Sequence, residues 1–108
     1  MDIWTFINLL RSRAISEVVF TEHSKYRLNQ RNLSEREIKK LLENKQLLRG
    51  IFQQRSNRFK LCYEIPGRGL DVIVVVDAKH IKSKLKITVV TAFLQPSERR
   101  TKVKEHEG

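Results

Sequence analysis

Cysteine is almost absent from this chain: Cys62 is the only one in 108 residues. A single thiol excludes an internal disulfide and any zinc site built from cysteines. It fits a reducing compartment, so the cytoplasm is the expected location. No stretch approaches the ~20 apolar residues of a membrane span, so no membrane partner is expected. The opening residues, Met1 to Arg11, are mildly hydrophobic but carry Asp2 and Asn8. They lack the basic start, long apolar run and small-residue cleavage site of a secretion signal. The three histidines, His23, His80 and His106, are dispersed and have no carboxylate pattern around them. Neither a metal site nor a cofactor is therefore expected. Aromatic residues make up 7% of the chain, and few look exposed, which argues against a stacking platform for unpaired bases. There are no repeats and no low-complexity tracts.

What the chain does have is positive charge. Lys and Arg number 22 against 12 acids, a net charge of +10 and a pI near 10.2. Such a field attracts phosphate backbones, anionic membranes or acidic proteins, and it says nothing of fold. The basic residues recur along the whole chain rather than in one tail, which favours nucleic acid. At 40% hydrophobic residues the chain can also bury a core as one domain.

Period and capping signals divide the chain. Asp2 caps a first helix over about 2–13, with Ile3, Phe6, Ile7 and Leu10 on one face. Glu17 to Phe20 is short and apolar, either a brief strand or a core-facing link. Thr21 caps a second helix ending near Asn32. Ser34 with Glu37 forms a capping box for a third, Glu35 to about Asn44, with Leu33 placed to staple onto Ile38. Leu47 to Phe52 reads as a first strand or a loosely ordered approach to one. Arg58 to Ile65 then alternates, with Phe59, Leu61, Tyr63 and Ile65 on one face.

Pro66 to Gly69 is a turn, and the β-branched run Leu70 to Val76 reads as a strand covered on both faces. Asp77 to Ser83 is a basic connection before a last strand, Leu85 to Leu94. The expected fold is a two-layer α+β domain over residues 1–96, with N-terminal helices on an antiparallel meander of three to four strands. The charged segment 97–108 has no core pattern and is expected to be frayed.

The residues that offer chemistry are few. His23, Arg27 and Arg31 recur at i, i+4, i+8 and form one polar stripe on the second helix. Two arginines can hold an anion with paired N–H donors, and an imidazole can move a proton near neutral pH. On the last strand, Lys84 and Lys86 share a face with Thr88. Leu85, Ile87, Val89, Thr91 and Phe93 are expected on the other. With Arg55, Arg58, Lys60, Arg68 and His80, these lysines can line a basic surface that neutralises phosphates without reading sequence. Cys62 reads as a buried structural thiol.

These segments resemble a known pattern. Phe20-Thr21-Glu22-His23, then Arg27, Arg31 and Leu33-Ser34-Glu35, and finally Val89-Val90-Thr91-Ala92-Phe93 fall in the order of small prokaryotic domains similar to RelE/ParE-type toxins. Those toxins belong to the wider barnase/EndoU/RelE-like group of ribonucleases. The resemblance covers about residues 18–95. It implies helices packed on an antiparallel sheet and metal-independent cleavage of RNA, in which a 2′-hydroxyl attacks its own phosphodiester. His23 would then transfer the proton, Arg27 and Arg31 would bind the phosphate, and Thr91 would orient it. An acidic, antitoxin-like protein is an implied partner.

The chain departs from the pattern at three places. Ser24 replaces a small apolar residue, Asn32 replaces glycine, and Phe93 replaces an aromatic hydroxyl. Three readings stay open: a toxin-type endoribonuclease, a non-catalytic module binding RNA (DNA less readily), and a protein-interaction domain.

Overall fold

Each helix starts at a side-chain oxygen that accepts an otherwise unpaired backbone N–H. In the computed structural model, which describes residues 1–100, Asp2 accepts from Thr5 N at the start of α1 (Ile3–Arg11). Thr21 accepts from Ser24 N at the start of α2 (Glu22–Gln30). Ser34 and Glu37 close the expected capping box on α3 (Glu35–Glu43). Between α1 and α2 runs a strand, β1 (Ile15–Phe20). After a single 3-10 turn come β2 (Leu48–Arg55), β3 (Arg58–Ile65), β4 (Leu70–Ile81) and β5 (Lys84–Pro96).

The protein is an α+β domain whose five strands lie in the order β1-β5-β4-β3-β2. The strands β2 to β5 form the expected antiparallel meander. β1 joins beside β5 in parallel, so the sheet is mixed and has one strand more than the alternation suggests. Parallel pairing is available to β1 because the two helices and three strands between it and β5 provide a long crossover.

All three helices cover one face of the sheet. Phe6, Leu10, Leu28, Ile38 and Leu42 pack there on Phe59, Leu61, Tyr63, Val74, Val76, Ile87 and Val89. The rings of Phe6 and Phe59 stack at 4.0 Å between centroids. On the opposite face the described residues place only the helical turn 97–100, which packs at Asp71. The buried apolar residues of that face form a small cluster of Phe52, Cys62, Ile73 and Val75, flanked by Val90 and Phe93. Phe52 lies close over Gly50, where an added Cβ would meet the ring at 3.0 Å.

Three differences from the sequence reading place functional residues. First, the basic connection expected at 77–83 is mostly strand: β4 runs to Ile81, and only Lys82 and Ser83 turn the chain. Both have positive φ, 49° and 65°, as a two-residue hairpin of matching twist requires. Second, β5 carries a bulge at Val90, since Val76 pairs with Val89 while Val75 pairs with Thr91. Strict alternation puts Thr91 and Phe93 with Leu85, Ile87 and Val89. The extra residue instead sends Thr91 and Phe93 to the open face. Third, the segment expected to fray begins as part of the fold. Residues 97–100 make a helical turn, Ser97 Oγ donates to Asp71 Oδ1 at 2.8 Å, and Arg100 Nε lies 3.3 Å from Asp71 Oδ2. Asp71 is fully buried. The rest of that segment, 101–108, lies outside the described residues, as does His106.

Candidate nucleic-acid interface

Residues paired across neighbouring strands share a face, so register decides which cations meet. Arg55 is opposite Arg58, Arg58 opposite Asp77, Lys60 opposite Val75, Lys79 opposite Lys86, and Ile81 opposite Lys84. Val75 belongs to the open-face cluster, and the alternation carries Asp77, Lys79 and Ile81 to the same side. The open face thus gathers Arg55, Arg58, Lys60, Lys79, Lys84 and Lys86 from four strands.

Their charges are not equally available. Arg58 grips Asp77 with two hydrogen bonds, Nε to Oδ1 at 2.7 Å and Nη2 to Oδ2 at 2.9 Å. Those bonds hold the Asp77 carboxyl below its ordinary pKa against the desolvation that raises it, and the charges of Arg58 and Arg55 add to the lowering. Lys86 Nζ stands 3.7 Å from Glu17 on β1. Lys60 Nζ lies 5.6 Å above the Phe52 ring, covering apolar surface while its head meets water. Lys79 and Lys84 are exposed, and neither side chain has a hydrogen bond or ion pair among the described residues. Thr88 and Thr91, both partly buried, add hydroxyls between these cations and the apolar cluster.

Two of the sequence-derived binding residues do not join this surface. His80 pairs with Leu85, whose side chain is in the helix-side core. It therefore faces the helix side, where with Thr5 and Asn57 it lines a hollow of about 400 Å³. Arg68 lies in the turn between β3 and β4. Lys84 starts β5 at the other end of the twelve-residue β4, about 40 Å of strand away. Sequence reasoning misses Lys79 for the same reason that it misplaces His80. Only a strand at 77–81 gives alternate residues to opposite faces, and composition there suggests a connection.

The four residues of the expected catalytic group divide as well. Arg31, the residue that ends α2, reaches β5. Its Nη1 donates to Thr91 Oγ1 at 3.1 Å and to the Ala92 carbonyl at 2.7 Å, and its guanidinium carbon lies 5.9 Å from the Phe93 ring centre. β1 pairs with β5 only as far as Val89, so the Ala92 carbonyl lies beyond the end of β1's ladder. Arg31 supplies the missing donor. Arg31 and Thr91 are thus brought together.

The side chains of His23 and Arg27 are exposed and have no hydrogen bond or ion pair among the described residues. His23 is two helical turns from Arg31, a rise of about 12 Å. Two grooves of the surface, one between β1 and α3 and one beside His80, are lined by other residues.

Two of the departures from the resembled pattern keep the local geometry. Ser24 is fully buried, and its hydroxyl donates to the Thr21 carbonyl at 2.8 Å, so a small polar residue fits where a small apolar one is usual. Asn32 takes φ 55°, the left-handed conformation that glycine adopts freely and asparagine tolerates. Leu33 N then bonds back to the Leu28 carbonyl at 2.9 Å and closes the end of α2.

No helix among the described residues is long and apolar enough to cross a membrane. The described residues hold no group of three or more His, Cys, Asp or Glu side chains that could bind a metal ion. No curated protein and no solved structure matches the chain. A family model does match, over residues 20–94, from the end of β1 to near the end of β5. The chain belongs to that family, a domain of unknown function designated DUF4258.

Proposed function

We propose that the protein binds RNA along the open face of its sheet. The observation that carries this reading is the register of β2 to β5. It collects Arg55, Lys60, Lys79, Lys84 and Lys86 on the face opposite the three N-terminal helices, in a chain whose net charge is +10. Lysines spread over several strands meet several phosphates at once, and each neutralised phosphate releases counterions. RNA is preferred to DNA because the His23-to-Ser34 segment and the Val89-to-Phe93 strand resemble RelE/ParE-type ribonucleases. The domain is a binding module on this reading, since Arg31 is engaged with backbone and His23 is remote from it.

The endoribonuclease reading keeps one supporting observation, the hydrogen bond of Arg31 to Thr91 at the end of the His23 stripe. A labelled generic single-stranded RNA, incubated in EDTA, tests both readings. The expected result is retention of intact RNA that weakens steeply with salt. Replacing Lys60, Lys79 and Lys84 together by alanine should flatten the log–log salt slope by about two, at ~0.7 for each phosphate that is no longer neutralised. An unchanged slope would remove the sheet face from the account. Cleavage to 2′,3′-cyclic ends that vanishes in His23→Ala would establish the ribonuclease instead.

A further inference from the structure

β1 forms one edge of the sheet and pairs only with β5. The outer side of an edge strand presents unpaired N–H and C=O groups, and proteins commonly guard such edges with lysine, proline or a covering element. β1, Ile15–Phe20, contains neither residue. Its one irregularity is a register shift between Ile15 and Glu17. Beside it, between β1 and α3, runs a groove of about 740 Å³, a volume in the range of ligand-holding clefts. Ile15 and Val18 on the strand and Leu42 on the helix give it an apolar floor.

The charges around this groove favour one kind of occupant. Arg13, Lys39 and Lys40 line it. Arg13 follows the end of α1 in the left-handed conformation, φ 58°, and neither its side chain nor that of Lys40 has a hydrogen bond or ion pair among the described residues. Of the two carboxylates present, Glu17 lies 3.7 Å from Lys86, which leaves Glu43 against three cations. We infer that an extended, acidic segment of a partner protein docks here, adding to β1 as a sixth strand. Backbone pairing supplies the affinity and the cations select the charge. A second copy of the chain brings the same net +10 and is repelled. Nucleic acid has no amide ladder with which to pair the edge. The groove adjoins the open sheet face at the Glu17–Lys86 pair, but the inference rests on the β1 edge and does not depend on RNA binding.

The test uses the full chain and a fluorescein-labelled peptide of alternating Glu and Val that matches the six residues of β1. Anisotropy should show binding, with amide shifts confined to residues 13–20 and 39–44. The same peptide N-methylated at alternate amides keeps its charge but cannot form the ladder, and it should not bind. Lys39→Glu with Lys40→Glu should weaken the unmethylated peptide by about tenfold or more. Both lysines are exposed, and if that variant fails to fold, the methylation comparison still decides. Equal binding of the methylated peptide, or no binding at all, would overturn the inference. So would displacement of the peptide by RNA, or self-association of the protein through β1.

Discussion

On its helix side the sheet buries Phe59, Leu61, Val74, Val76, Ile87 and Val89 within a large apolar core, whereas on its open side the buried apolar residues are only Phe52, Cys62, Ile73 and Val75, with the buried Asp71 beside them. The same strands, alternating residue by residue, therefore carry two kinds of surface. On the covered face, cohesion comes from area removed from water, at about 25 cal/mol per Å². On the open face the apolar cluster is small, and the side chains around it are long cations whose stems lie on the cluster and whose charges stay in water. The difference teaches which substitutions address the fold and which address the partner. A core residue on β3 and a cation on β3 are neighbours in sequence, Phe59 and Lys60, yet they belong to opposite tasks.

The largest effect expected is on the covered face. Phe59→Ala removes a fully buried ring stacked on Phe6 and should lower unfolding free energy by about 3–5 kcal/mol. Phe93 is only partly buried, at the edge of the open cluster, and Phe93→Ala should lower it by less than about half as much. Chemical denaturation of the two variants measures the contrast. Equal losses would mean that the open face is a second core rather than a binding surface, and the comparison would break.

Arg31 tests the border between the two faces. Arg31→Ala leaves the Ala92 carbonyl without its donor and should cost about 1–3 kcal/mol. Both bonds leave one nitrogen, Nη1, so Arg31→Lys, which keeps several N–H donors on a single nitrogen, should recover part of the loss. His23→Ala, at an exposed position, should stay within about 0.5 kcal/mol of wild type. If Arg31→Ala folded with unchanged stability but no longer bound RNA, the arginine would be a ligand-binding group and the strut assigned to it would be wrong.

Much of this architecture is legible in the sequence, and the parts that are not share a cause. Caps are local: Asp2, Thr21 and the Ser34/Glu37 box each act within three residues, and all three helices begin where those side chains stand. Alternation is local too, and Arg58 to Ile65 faces as its pattern requires. The bulge at Val90 is different, because nothing in Val89-Val90-Thr91 distinguishes the inserted residue from its neighbours. Only pairing with Val75 and Val76 on β4 does so.

The β4–β5 turn is hidden in a similar way. Lys79-His80-Ile81 is polar enough to look like a connection, yet its backbone completes a ladder with β5. Asp71 sits within an apparently apolar strand, and its burial makes sense only with Ser97 and Arg100, residues far along the chain. The candidate site follows the same rule. Its cations are readable by type, and their faces are set by long-range register.

A small effect is expected from a carboxylate gripped on the open face, Asp77. Arg58's hydrogen bonds, with the charges of Arg58 and Arg55, hold the Asp77 carboxyl below its ordinary value of 3.8. A depressed carboxylate contributes stability that is fully present above that ordinary value and is lost as pH falls through the lower, folded one. The Asp77 side chain is 44% exposed, so solvent screening keeps the contribution below about 1 kcal/mol. Wild type should therefore exceed Asp77→Asn slightly in melting temperature at neutral pH, and the gap should close in acid. A gap that persisted in acid would make the interaction one of shape rather than charge. The same substitution removes a negative charge from the open face and frees Arg58. RNA affinity should then rise modestly while stability falls, and a variant in which both fell would show that Asp77 positions Arg58 for the partner rather than holding it back.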